Sequence, residues 1–398
     1  MKPRVAVVVQ RYGTDVTGGS ESLARAVAER LSKDAEVVVF ASCARDYVTW
    51  RNELPAGEQI ENGVEVRRFP SEAERDLLSF NRFSDTLYDR PHTEEQELEW
   101  LKRQGPDVPR LVQRLEAERD RYDAVLFFTY LYFPTYWGLR AAPERAILVP
   151  TAHDEPPLRL GIMRRVFQAP RAFAFCSAPE EELVRSRFDI DGKPTAVTGI
   201  GVDADPAGLD VEGFRIRHDV RGPYALYAGR IDAGKGCEAM LRHFAEYRRN
   251  VGGGAELLLI GRLAMDKPRV PGVRYLGFLP EREKLAAMAG ARAVLCPSPY
   301  ESLSIVLLEA MALGTPVLAT TASPVLVDHC RRSNAGLFYE DGAEFAEALD
   351  LVVKTEPLRL ALGENGRRYV AANYRWDVVM ARYKGLIAAV SGKASLTQ

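Results

Sequence analysis

No apolar run in the sequence is long enough to cross a bilayer; the longest, such as Val5–Val9 and Ala124–Phe128, have the length of strands. The N-terminus, MKPRVAVVVQRYG, has a basic start, but its apolar core is too short for a signal peptide and reads as a strand. Cysteine is scarce. Cys43, Cys176, Cys237, Cys296 and Cys330 are scattered and include no CxxC pair. That argues against structural zinc and a disulfide framework, and it fits a reducing cytoplasm. There is no excess of either charge. A formal net charge of −2 gives no global basis for nucleic-acid binding. Two phosphate-loop patterns are also missing: no G-x-G-x-x-G of dinucleotide enzymes and no GxxxxGK[ST].

What the chain does have is length and strand–helix alternation. At 398 residues it exceeds one ordinary core, and two domains are expected. Arg4–Val9 is a valine-rich run suited to a parallel strand buried on both faces. A loop containing Gly18-Gly19 follows. Ser20 is placed to cap a helix whose Leu23, Ala24, Val27, Ala28 and Leu31 recur at helical spacing. The two glycines either make a plain turn or let the backbone approach a ligand at the helix start. Val37–Phe40, Val64–Phe69, Asp123–Thr129, Ala146–Val149, Ala172–Ser177 and Thr195–Val202 read as further strands. Residues 71–121 form a charged excursion with helices at Glu94–Gln104 and Leu111–Arg121. Its Phe80, Phe83, Tyr88 and Trp100 are expected to be exposed, either as part of a solvated surface or as an acceptor or membrane face.

The second half holds the strongest local pattern. Pro297–Thr320 reads PSPYESLSIVLLEAMALGTPVLAT, with Glu301 and Glu309 separated by seven residues. A strand ending near Pro297, a loop carrying Glu301 and a helix from about Ser304 to Leu313 are predicted, with Gly314 and Pro316 ending the helix. Glu309 then lies mid-helix in an apolar run, where a carboxylate needs a partner: a structural cation or the hydroxyls of a ligand. Upstream, the strand Tyr224–Ala228 runs into Gly229-Arg230-Ile231-Asp232-Ala233-Gly234-Lys235-Gly236, ahead of a helix at Cys237–Arg249. Two cations on a glycine-bearing loop suit a pyrophosphate, and equally a plain strand–helix turn with surface cations. His153-Asp154-Glu155 follows a strand end, where ligands bind in open α/β sheets; a loop-spacing histidine is the rival reading. Asp189-x-Asp191 and Asp203-x-Asp205 are formally DxD and read as turn or linker residues, so no metal ligand is assigned.

Glu301-x7-Glu309 with its EAMALGTPV continuation resembles the E-x7-E signature of glycosyltransferase family 4, and the resemblance extends over nearly the whole chain. It implies a GT-B fold: two Rossmann-like, doubly wound α/β domains across a cleft. Residues 1–203 would form the acceptor side and 204–375 the donor side, with the terminal helix 376–398 returning to the first domain. It implies a retaining transfer of a sugar from a UDP- or GDP-sugar to a hydroxyl, without metal or other cofactor. Arg230 and Lys235 would neutralise the diphosphate and, with Glu301 and His153, form the catalytic set. Gly18, Gly19, Phe278, Leu279, Ser302, Leu303, Ser304, Ile305 and Glu309 would join them around the donor, Glu309 on the ribose. Arg11, Tyr12 and Asp154 would face the acceptor, which is a saccharide, a lipid-linked saccharide or a small-molecule aglycone. The expected location is the cytoplasm, with peripheral membrane contact left open. A nucleotide-sugar epimerase or a non-catalytic binding protein on the same scaffold are the alternatives. Two departures stand out: Ser304 replaces a usual glycine, and Thr321–Asp328 replaces a usual glycine-rich loop and glutamate.

Overall fold

The computed structural model describes residues 2–16, 18–252 and 254–392. The chain divides into two compact units, Met1–Gly199 with Met380–Gln398, and Ile200–Val379.

The first unit is built on an eight-stranded sheet. Its strands are β1 (Arg4–Val8), β2 (Glu36–Ser42), β3 (Gly57–Glu61), β4 (Val64–Phe69), β5 (Ala124–Phe128), β6 (Ala146–Val149), β7 (Ala172–Phe175) and β8 (Thr195–Val197), in the spatial order β3-β4-β2-β1-β5-β6-β7-β8. All pairings are parallel except β3 with β4. Strands β1 and β5 are buried throughout or nearly so, as their unbroken apolar runs require. The short polar edge strand β3 (GEQIE) was not expected, because its exposed, charged residues carry no strand pattern. The strand order reverses at β1/β5, so the loops after these strands open the crevice where such sheets bind ligands.

The charged excursion is not a solvated surface with exposed aromatics. Its helices, Leu77–Asp89, Glu94–Gln104 and Pro109–Glu118, bury Phe80, Leu87, Trp100, Leu101, Leu111 and Leu115 in the core of this unit. Phe83 and Tyr88 are half-buried against the same core. Interleaved charges hid a narrow apolar stripe that becomes clear only when the helices are docked. In the same unit, the helix expected to be capped by Ser20 starts two residues earlier, at Gly19, with Gly18 (φ 156°) as its cap residue. A Cβ on Gly18 would lie 2.1 Å from Glu21 Oε2, a position a side chain could occupy only if Glu21 moved. The Met380 end of the terminal helix Trp376–Ser391 packs here through Lys384 on Asp34 (2.6 Å) and Arg382 on the Val197 carbonyl (3.1 Å).

The second unit carries an all-parallel six-stranded sheet: β9 (Tyr224–Ala228), β10 (Glu256–Ile260), β11 (Val273–Gly277), β12 (Ala293–Cys296), β13 (Val317–Thr320) and β14 (Gly336–Tyr339), in the order β11-β10-β9-β12-β13-β14. This is the doubly wound 3-2-1-4-5-6 order, with its switch point between β9 and β12. Ahead of β9 this unit begins with a helix, Val211–Arg217. The helix Ile305–Leu313 ends as its sequence predicts, with Gly314 left-handed (φ 78°) and its N–H on the Met311 carbonyl. Among the described residues no helix is long and apolar enough to cross a membrane.

Candidate active site

The loops that follow β9 and β12 meet at the switch point of the second unit. After β9 the chain turns at Gly229, and Asp232 caps a short turn by accepting from the Lys235 N–H (2.8 Å). Gly236 then adopts a left-handed conformation (φ 73°), and a Cβ there would lie 2.2 Å from the Pro297 carbonyl oxygen. Backbone against backbone leaves no room to give, so this glycine fixes the contact between the cationic loop and the Glu301 loop. Lys235 Nζ donates to Glu301 Oε1 at 2.8 Å, which joins two loops 66 residues apart. Lys235 is one-third exposed and Glu301 less so. Arg230 is half exposed and pairs with Asp232.

The β12 loop delivers a second feature. Ser304 caps the helix Ile305–Leu313 in a left-handed conformation (φ 69°, ψ 83°), and its side chain makes no cap hydrogen bond. The first N–H groups of that helix therefore receive no cap from the Ser304 side chain. Glu309 lies further along the helix, between Leu308 and Ala310, and accepts from Lys284 Nζ at 2.9 and 3.0 Å. Lys284 also reaches Glu281 at 2.8 Å. Burial holds the Glu309 carboxyl above its ordinary value, only partly offset by Lys284; burial pulls Lys284 down, but the two glutamates together outweigh it and hold Lys284 above its own. So Glu309 has a structural cation; Lys284 was not singled out in the sequence, where it sits on a strongly charged helix without a distinguishing pattern. Of the other expected donor contacts, Ser302, Ser304, Ile305 and Leu279 are half-buried and Phe278 is 83% exposed. Leu303 is buried, so its side chain faces the core and only its backbone is available.

In the first unit, Gly18 and Gly19 are exposed at the start of a helix without a side-chain cap. The two acceptor-side residues expected beside them are placed differently. Arg11 is 3% exposed; its Nε donates to Glu21 Oε1 at 2.9 Å and its Nη1 to the Arg45 carbonyl at 2.8 Å. Tyr12 is 1% exposed, and burial raises its phenol well above the ordinary range. Both lie a few residues beyond β1, and their side chains pack inward near the strand end. Asp154 is half exposed and paired with Arg187 (2.8 Å) and Arg159 (3.2 Å).

His153 lies at the end of β6 with its ring one-third exposed, and its Nε2 is 3.4 Å from Glu155 Oε2. Behind it is a group that sequence reading missed. Glu180, 1% exposed, accepts from the Ala152 N–H (2.6 Å) and the Cys176 N–H (2.5 Å), tying the ends of β6 and β7 together. Burial pushes its carboxyl up to about 7, against those donors and the nearby His153. The DxD residues serve turns: Asp191 pairs with Arg185 and Asp205 accepts from the Ala207 N–H.

Residues 212–369 match the family model described as "Glycosyl transferases group 1". The solved structure of sucrose-phosphate synthase from Thermosynechococcus elongatus superposes with a TM-score of 0.71 at 17% identity, covering 98% of this chain and 100% of that one. Likeness of that extent defines the fold as GT-B. Among curated relatives, D-inositol 3-phosphate glycosyltransferase of Corynebacterium jeikeium is 31% identical over 202 residues, 45% of this chain and 47% of that protein. The chain thus spans about half the length of that relative. A GDP-mannose-dependent alpha-(1-6)-phosphatidylinositol monomannoside mannosyltransferase of Mycobacterium tuberculosis is 28% identical over 327 residues, 70% of this chain and 78% of that protein.

Proposed function

We propose that the chain is a retaining glycosyltransferase that moves a hexose from a UDP- or GDP-linked sugar to a hydroxyl acceptor. The observation that carries this reading is the Lys235–Glu301 contact beside the exposed Arg230 and the uncapped start of helix Ile305–Leu313. Two cations and a helix start that Ser304 does not cap, at a switch point, make a receptor for a diphosphate. Next to them stands a carboxylate that can accept from sugar hydroxyls. The match to a glycosyltransferase family model over the second unit, and a relative whose name includes GDP-mannose dependence, support the same reading.

In the reaction, the bond from the anomeric carbon to the β-phosphate oxygen breaks as the acceptor oxygen bonds to the same face of that carbon. The acceptor proton passes to the departing phosphate oxygen. Arg230 and Lys235 stabilise the charge that accumulates on the diphosphate, which lets side chains serve where other transferases use a divalent ion. Glu301 orients the sugar, and Glu309, steadied by Lys284, accepts from ribose hydroxyls. The acceptor is assigned to the surface polysaccharide or glycolipid class, with the reaction on the cytoplasmic side. Nucleoside-diphosphate release from UDP-glucose, UDP-N-acetylglucosamine and GDP-mannose, with a chelator present and an acceptor panel added, tests the proposal. Acceptor-dependent release with one donor supports it; a wild-type protein that releases nucleotide from none, with any acceptor, contradicts it.

A further inference from the structure

Strained backbone marks the floor of the His153 site. Thr129 (φ 70°) and Thr151 (φ 52°), at the ends of β5 and β6, are both left-handed, and Thr151 Oγ1 lies 3.3 Å from Thr129 Oγ1. A β-branched residue in that region is an outlier that persists only where surrounding contacts enforce it. Here the enforcing contacts are the register bonds Thr129 N–H to the Val149 carbonyl (2.9 Å) and Tyr130 N–H to the Pro150 carbonyl (3.1 Å), with Glu180 beneath. The effect is to bring Tyr130, from the β5 end, to the loop carrying His153 and Glu155.

Tyr130 is fully buried, and its hydroxyl donates to Glu155 Oε1 at 2.8 Å. Burial and the Glu155 charge raise the phenol far above its ordinary value, so it remains a donor. The other carboxylate oxygen, Oε2, is the one 3.4 Å from His153 Nε2. Pro156 follows Glu155 and holds its backbone extended (φ −124°, ψ 157°), while the Tyr130 hydrogen bond anchors the carboxylate. A carboxylate anchored at one oxygen and facing an imidazole nitrogen with the other is the arrangement by which a third group sets the orientation and tautomer of a working histidine. A spacing of 3.4 Å is loose, as such contacts commonly are before substrate binds.

We infer that Glu155 is a positioning residue: held by Tyr130, it fixes the ring orientation and the Nε2-protonated tautomer of His153. The inference rests on His153 being a substrate-contacting residue, but its test does not need turnover. The chain has five histidines, so ring ¹⁵N resonances of the labelled full-length protein, at a pH where the ring is neutral, can be assigned by the one signal lost in His153→Gln. The wild-type ring is expected to show the single Nε2–H tautomer. Glu155→Ala should show a mixture, and Tyr130→Phe a partial one. In turnover, Glu155→Ala should lose roughly tenfold to hundredfold in kcat, by analogy with carboxylates that orient metal-binding histidines, with donor KM nearly unchanged. Tyr130→Phe should lose less. An unchanged ring spectrum in Glu155→Ala overturns the inference whatever the activity. If that variant does not fold, an unchanged spectrum and kcat in Tyr130→Phe overturn it. A wild-type protein that turns over no donor contradicts the transferase reading alone, since the spectra still decide the Glu155–His153 relationship.

Discussion

Lys235 and Glu301 meet at 2.8 Å across the switch point of the second sheet, one from the β9 loop and one from the β12 loop. The contact fixes both side chains: under the proposed function, Lys235 is held where a diphosphate would arrive and Glu301 is aimed beside it. A charged hydrogen bond of this kind contributes about 1.5–3 kcal/mol, which corresponds to roughly tenfold to a hundredfold in affinity. Lys235→Ala is therefore expected to weaken nucleoside-diphosphate binding by that factor, measured by calorimetric titration. Arg230→Ala should weaken it less, because Arg230 is half exposed and screened.

Lys284 and Glu309 test a different kind of charge pair. Both are largely buried, and Lys284 is the cation that makes a mid-helix carboxylate tolerable. Lys284→Met leaves Glu309 without it and should lower unfolding free energy by about 2–3 kcal/mol, at the low end for a buried pair because some solvent remains. The double variant Lys284→Met/Glu309→Leu should recover most of that loss in urea unfolding. Donor affinity should stay low in the double variant if Glu309 holds the ribose, and return if it does not.

The signature is one place where sequence and structure disagree on cost. Ser304 occupies a left-handed conformation that glycine adopts freely. Ser304→Gly should raise stability by about 0.5–1 kcal/mol, read as an increase in urea midpoint at unchanged slope.

Glu180 predicts a pH dependence with a definite sign. Its folded-state pKa, pushed to about 7, lies above its ordinary value of 4.5. The folded protein therefore holds this proton more tightly than the unfolded chain. The resulting stabilisation is fully present below about pH 4.5 and is lost as pH rises through about 7. Glu180→Gln cannot titrate. Its stability relative to wild type should thus rise between pH 5 and pH 8, by up to about 3 kcal/mol. A constant difference across that window would show that the buried carboxylate stays ionised.

Much of this architecture was legible in the sequence because parallel strands buried on both faces must be apolar throughout. Val5–Val8, Ala124–Phe128, Tyr224–Ala228 and Ala293–Cys296 announce themselves, and glycine loops follow the first and third of them. The Lys235–Glu301 pairing was not legible, since 66 residues separate two side chains that only the strand order brings together. Glu180 was hidden for a related reason. It looks like a first-turn acid of an ordinary helix, and only the packed ends of β6 and β7 show that its carboxylate faces inward. Trp100 and Phe80 were misjudged because the charges around them suggested solvent, whereas the helices carrying them dock by one stripe. Arg11 and Tyr12 carry no sequence sign of their burial: they are polar residues beside a glycine loop, yet both side chains are packed away from solvent.

The central claim is that the second unit binds a nucleoside diphosphate at Arg230, Lys235 and the start of helix Ile305–Leu313. Thermal unfolding of the full-length protein in the presence of UDP, GDP and ADP, each at millimolar concentration without added metal, tests it most directly. A ligand that binds only the folded state raises the midpoint as its concentration exceeds Kd. The account predicts a rise with at least one of the three that is lost in Lys235→Ala. No rise with any of them, or a rise that Lys235→Ala retains in full, would contradict it.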